Sequence, residues 1–326
     1  MVGFVCRRLL AVVPVAWVTL SLLFVIFFLV PGDPVQNLAG DARVVPAAVR
    51  AGIERELGLD RPWYEQYGRY WARLATGDLG RSQRNDEPVA DVVARTAPPS
   101  LRLAFWAVAI ELVVGMAVGV AAAARRGRLP DTVATVLTTV VVAIPAFVLG
   151  SLMHLVLGVM AFQRGWPAWA RFPVQGSPDA WVLGVFPAGS RWKTLVLPAV
   201  TLAAASGAVL ARLTRATMIE VADAPFLRTA AAKGAGPARV LVGHGLRNAL
   251  GPVVAYAGLD LAAFIGAAVV TESLFNWPGI GSELARAISA EDTPVVLGLS
   301  LVVVVAYLAV NLVADVAHRL LDPRLR

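Results

Sequence analysis

The stretch "DAPFLRTAAAKGAGPARVLVGHGLRNALGP", Asp223 to Pro252, lies between two apolar blocks and interrupts them with Arg, Lys and glycines. Its start reads as a helix. Asp223 suits an N-cap, Pro225 falls in the first turn where its missing N–H does no harm, and Phe226 and the alanines continue the helical pattern. Ala230 and Ala231 add little bulk, Arg228, Thr229 and Lys233 are polar, and Gly234 and Gly236 end the run. A second helical run is expected from Pro237 into the next apolar block. A helix buried in lipid would not carry Arg228 and Lys233, and a disordered linker would not carry so many helix formers. The spacing therefore predicts a short helix outside the membrane whose alanine side lets another surface approach closely, as a docking element would.

What surrounds this stretch fixes the setting. Hydrophobic residues make up 58% of the chain, charged residues 16%, and the mean hydropathy is +0.68, far from a soluble norm. Six blocks reach the length of about 20 residues needed to cross a bilayer: Leu9 to Val30, Leu103 to Ala124, Thr132 to near Leu157, Thr194 to Ala211, Ala249 to Thr271 and Pro294 to Ala314. Long continuous apolar runs suit helices, whose backbone bonds are internal, rather than the alternating strands of a barrel. The expected fold is an all-α polytopic membrane protein with six transmembrane helices. The first block exceeds the apolar region of a signal peptide and is expected to stay as a span. The expected divisions are residues 1–30 for the N-terminus and first span, 31–98 for an extracytoplasmic segment, and 99–326 for the remaining spans with the 212–250 connector.

Orientation follows from basic residues near the spans. With the N-terminus in the cytoplasm, the inside segments hold fourteen Arg and Lys, while the two short outside loops hold five: Arg164, Arg171, Arg191, Lys193 and Arg286. Both termini are expected inside. The net charge of +7 is accounted for by those inside loops, which argues against a nucleic-acid partner and for contact with membrane lipid.

Catalytic chemistry finds no constellation. Lys193 follows Trp192 and Lys233 follows Ala232, so no nucleotide-binding G-K pair exists. His154, His244 and His318 are too scattered for a metal site, and the lone Cys6 cannot form an internal disulfide. No metal or catalytic residue is expected. Two charges do fall inside spans, Glu111 and Asp260. Intramembrane carboxyls are costly and candidate functional groups, although bonding between packed helices is the commoner explanation. His154 reads as a packing residue.

The loops are uneven in information. Trp63, Tyr67, Tyr70, Trp71 and Leu74 recur three and four apart on a helix opening at Pro62, an aromatic stripe suited to the membrane surface, to a small external core or, third, to ligand contact. Gln163 to Lys193 shows no period and reads as an irregular loop. "TESLFNWPGIGSELARAISAEDTP", Thr271 to Pro294, is expected to turn at Pro278, Gly279 and Gly281 and then form a short amphipathic helix with Leu284, Ala287 and Ile288 inward.

"RTAAAKG" at Arg228 to Gly234, with "LRNALGP" at Leu246 to Pro252, resembles the cytoplasmic coupling loop of ABC importer permeases, most closely the dipeptide, oligopeptide and nickel branch. Arg228 and Thr229 stand where the general motif has Glu and Ala, a departure shared with that branch. The resemblance runs nearly end to end, through "RRLLAVVPV", "VPGDPV" at Val30 to Val35, "GDLGRS" at Gly77 to Ser82, "TESLFNWPGIG" with Glu272, Phe275, Pro278, Gly279 and Gly281, and the closing "LDPRLR". It implies a type I ABC importer permease fold in a bacterial plasma membrane. It also implies three kinds of partner: a second homologous permease, two ATPase subunits that bind the ATP and Mg²⁺ this chain does not, and an extracytoplasmic substrate-binding protein. By that resemblance the helix with Asp223, Pro225, Phe226 and Lys233 couples to an ATPase groove, and the cargo is di- or oligopeptides, with nickel complexes or glutathione as alternatives. An ion-coupled secondary transporter using Glu111 and Asp260 would need related halves, and no repeat links the first three spans to the last three.

Overall fold

The structure is a computed structural model that describes residues 2–26, 61–189, 191–236 and 239–321. Residues 27–60, with the Val30 to Val35 motif, and Pro237 and the closing residues 322–326 lie outside the described residues.

The chain is mostly helical. In order come α1 (Val2–Phe24), α2 (Trp63–Ala75), α3 (Val89–Ala124), α4 (Leu129–Ala143), α5 (Ala146–Gln163), strands β1 (Ala180–Val182) and β2 (Phe186–Ala188), α6 (Val196–Ala222), α7 (Pro225–Ala232), α8 (Arg239–Leu274), α9 (Ile280–Ser289) and α10 (Thr293–Leu321). Among the described residues five helices are long and apolar enough to cross a membrane: α3, α5, α6 with its opening 3₁₀ turn, α8 and α10. Leu10–Phe24 and α4 are shorter apolar helices. Leu129, Val136 and Leu137 on α4 and Val113 on α3 are exposed, the arrangement lipid favours over water.

Two sequence expectations change. The third expected span is two helices, because Ile144 is extended (ψ 123°) before Pro145 (ψ 136°); the proline ring disfavours the helical conformation of the residue before it. The irregular loop after α5 contains an antiparallel hairpin, with Ala180 opposite Ala188. Trp106 Nε1 donates to Val185 O at 2.8 Å and Arg102 Nε to Gly184 O at 2.6 Å, so backbone carbonyls at the hairpin tip find donors on α3 that no local period reveals.

Two compact units are distinguished, residues 1–98 with 279–306 and residues 99–278 with 307–326. In the second unit α6 is the hub, packed against α3, α4, α5 and α8. Its small residues set the distance. A Cβ on Gly115 would come 2.9 Å from Gly207 O, and one on Gly119 would come 2.5 Å from Ala211 O. Glycines four apart on α3 thus face Gly207 and Ala211, four apart on α6, the small-residue pattern by which membrane helices approach closely.

In the first unit, Tyr70 of α2 is buried with Leu20, Phe24 and Leu297, and Tyr67, Trp71 and Leu74 pack around them. Tyr67 shares a 2.7 Å hydrogen bond with Ser21 and sits edge-on to Phe24 at 5.2 Å. Of the three expectations for the aromatic stripe, packing as a small core holds, with Trp63 left exposed. A second core joins Val89, Val92, Ile280, Ala287, Val295, Val296 and Leu299. The inward side of α9 is therefore Ile280, Leu284 and Ala287; Ile288, expected inward, is 55% exposed.

Candidate functional site

The stretch that opened the sequence folds as helix, break, helix. Pro225 takes the first helical position of α7, but the cap is Ala224, with no side-chain hydrogen bond. Asp223 instead ends α6. The expected N-cap fails because Asp223 still has helical backbone angles (φ −86°, ψ −1°), whereas a cap residue leaves them.

The other end of α7 matches its residues closely. Gly234 N–H donates to Ala231 O at 2.9 Å and Ala235 N–H to Ala230 O at 3.2 Å, with Gly234 at φ +85°. This pair of bonds around a left-handed residue is the Schellman closure, which glycine adopts without a Cβ penalty. The second run begins in π-helical form at Arg239–Leu246 and passes without a break into the rest of α8.

One side chain seats α7. Leu227 is buried, and a Cβ on Gly245 of α8 would come 3.9 Å from its Cδ1 and 3.4 Å from Met218 Cε of α6. Pro225, Phe226, Arg228, Thr229, Ala231 and Lys233 are exposed, and Ala230 is half-buried. The helix therefore offers a broad face of small and polar groups around Phe226. Sequence reasoning missed Leu227; a lone leucine between Phe226 and Arg228 was its only signal.

Near the start of α4 and the end of α6 lies a fixed ion pair, also missed. Arg215 Nε and Nη2 reach the two oxygens of Asp131 at 2.5 and 2.8 Å, and Gly127 N–H donates to Asp131 Oδ2 at 2.9 Å. The Arg215 guanidinium, helped by that N–H, holds the Asp131 carboxyl down at about 2. The paired positions lie 84 residues apart, so no local pattern could join them.

The far end of α8 is closed differently. Glu272, Phe275 and Trp277 are all buried. Ser100 Oγ donates to Glu272 Oε1 at 2.6 Å, Trp277 N–H to Glu272 O at 2.8 Å, and Trp277 Nε1 to Pro99 O at 3.1 Å. Phe275 stacks on His154 at 5.9 Å, a packing role for that histidine. The turn is made by Asn276 at φ +46° rather than by the expected glycines; Gly279 is extended and Gly281 lies inside α9. Asn tolerates the left-handed region because its short polar side chain bonds locally. Pro278 is exposed.

Within the bundle, Glu111 opens a π-helical turn, Glu111–Gly115, in α3 and is 1% exposed. Asp260 of α8 acts on it directly, so the structure brings together the two intramembrane charges. Among the described residues no group of three or more His, Cys, Asp or Glu could hold a metal.

These features define a class: a polytopic helical membrane protein with a short helix that buries Leu227 and exposes small and polar side chains. Residues 115–326 match the family described as the binding-protein-dependent transport system inner membrane component, and residues 1–104 match the N-terminal part of binding-protein-dependent transport system membrane components. The chain is 34% identical over 329 residues to the glutathione transport system permease protein GsiC of Escherichia coli strain K12, covering 100% of this chain and 99% of that one. The same identity and coverages hold for the proteins of that name from Shigella dysenteriae serotype 1 and Shigella boydii serotype 4. The chain belongs to the inner-membrane permease family of ABC importers. It is a multi-pass permease subunit rather than an enzyme in itself, and membership implies a substrate-binding protein and ATPase partners.

Proposed function

We propose that this permease forms half of the path for short peptides, glutathione among them, beside a second homologous permease. α7 is its coupling helix, lying on the cytoplasmic side and seated in a groove of one of two ATPase subunits. The carrying observation is the contrast within α7, where Leu227 alone is buried and Phe226, Arg228, Thr229, Ala231 and Lys233 are exposed. A helix fixed by one side chain and closed by Gly234 has no structural need for that outward face, while a partner groove does. The excess of Arg and Lys in the segments on that side supports its cytoplasmic placement. The peptide reading is supported by the names of the relatives, and glutathione is itself a small peptide.

The test is uptake into proteoliposomes that hold the permease with its partner permease, ATPase and binding-protein subunits. Labelled glutathione and a dipeptide should enter with ATP hydrolysis, and a nickel chelate should not. Replacing Gly234 with Asp should uncouple hydrolysis from uptake while the permease pair still assembles. Nickel entry without peptide entry would reverse the cargo assignment; unchanged coupling in the Gly234→Asp variant would remove α7 from its role.

A further inference from the structure

Glu111 is almost wholly enclosed, yet neither of its carboxyl oxygens has a hydrogen-bond partner among the described residues. Asp260 Oδ2, buried as well, is in the same position. An ionised carboxylate can only accept hydrogen bonds, so two that face each other cannot satisfy one another. In a low-dielectric bundle, away from any compensating cation, their like charges also repel strongly.

A single proton removes both difficulties. It makes one carboxyl an O–H donor and the other its acceptor, forming a short charge-assisted bond of the stronger kind. The surroundings suit such a bond. α6 brings Gly207 and the Ser206 hydroxyl to this place; a Cβ on Gly207 would lie 3.7 Å from Glu111 Cα and 3.9 Å from its Cγ, so the glycine leaves room beside the pair. Tyr256, one turn before Asp260 on α8, interacts with both carboxyls and with Ser206. Its hydroxyl can donate to the one remaining negative charge. Among the described residues, Glu111 from α3 and Tyr256 and Asp260 from α8 are the ionisable groups that meet here, and no Arg or Lys acts on Glu111.

We propose that Glu111 and Asp260 form an intramembrane proton-binding site, sharing one proton that bridges α3 to α8 beside α6. The proton is a resident of the bundle and does not have to cross it. Its loss leaves two facing charges that repel each other where α3 and α8 each pack against α6.

The test uses the full-length chain in lipid nanodiscs and infrared difference spectroscopy between about pH 6 and about pH 10, above the ordinary carboxyl range. The wild type should show a protonated-carboxyl C=O band that survives well above that range and disappears at the alkaline end. E111Q and D260N keep side-chain shape and a donor, and each alone should abolish the band, because a shared proton needs both partners. Absence of the band from the wild type, which requires no variant to fold, would overturn the proposal. So would its persistence in either variant, which would give the proton to one residue alone. Exchange of sodium for choline should leave the band unchanged; a sodium-dependent band would assign the pair to a metal ion instead.

Discussion

The two ends of α8 carry the two most recognisable stretches of the sequence, and they are built in opposite ways. Before α8, α7 exposes its motif and rests on Leu227 alone. After it, the turn through Trp277 encloses its motif, with Glu272, Phe275 and Trp277 each at most 1% exposed and tied to Ser100, Pro99 and His154. Residue types at a recognisable spacing thus mean different things at the two ends: at one they leave an outward face, and at the other they hold this chain's own packing.

This difference can be broken most forcefully at Trp277. Trp277→Ala removes a fully buried aromatic ring and its bond to Pro99, and should lower unfolding stability by about 3–5 kcal/mol, read by thermal denaturation in detergent. Gly119→Ala should follow at about 1–3 kcal/mol, since the new methyl meets the Ala211 carbonyl and the Thr214 Cβ, neither of which is the far end of a flexible side chain. At Gly234, where a Cβ meets nothing within 4 Å, alanine is opposed only by the left-handed backbone. A loss of about 1–2 kcal/mol is expected, visible as faster amide exchange confined to α7.

The smallest stability effect belongs to Ala231→Trp. On an exposed face it should change unfolding by no more than about 0.5 kcal/mol, while ATP-coupled uptake falls at least tenfold. Destabilisation comparable to that of Trp277→Ala would erase the contrast between the ends.

Acid offers a separate probe. Asp131 is held below its ordinary carboxyl value, so its pairing with Arg215 contributes fully above about pH 4 and is lost as the pH falls through about 2. Asp131→Asn should remove that acid-sensitive part of the unfolding profile and leave the neutral-pH profile with a constant offset.

The sequence made the helical membrane class legible because continuous apolar length is a local property, and it made α7 legible because Pro225 and Gly234 act within one turn. Asp223 misled because a good capping residue is also tolerated at the end of a preceding helix. The split at Pro145 was masked by uninterrupted apolarity, which reports depth but not direction. Leu227, the Asp131–Arg215 pair and the meeting of Glu111 with Asp260 depend on which helix lies beside which, information held in packing and not in spacing.

α8 has one further consequence. At 36 residues it is roughly 50 Å long, with Gly245, the neighbour of Leu227, near one end and Glu272 near the other. On the proposed coupling role of α7 it would act as a lever: a tilt of about 5° about one end carries the other through roughly 4 Å, enough to move the Glu272–Ser100 clamp. Pro252 lies nearer the α7 end and removes one bond from the backbone ladder there, so the shaft yields close to the handle and stays stiff along the longer arm.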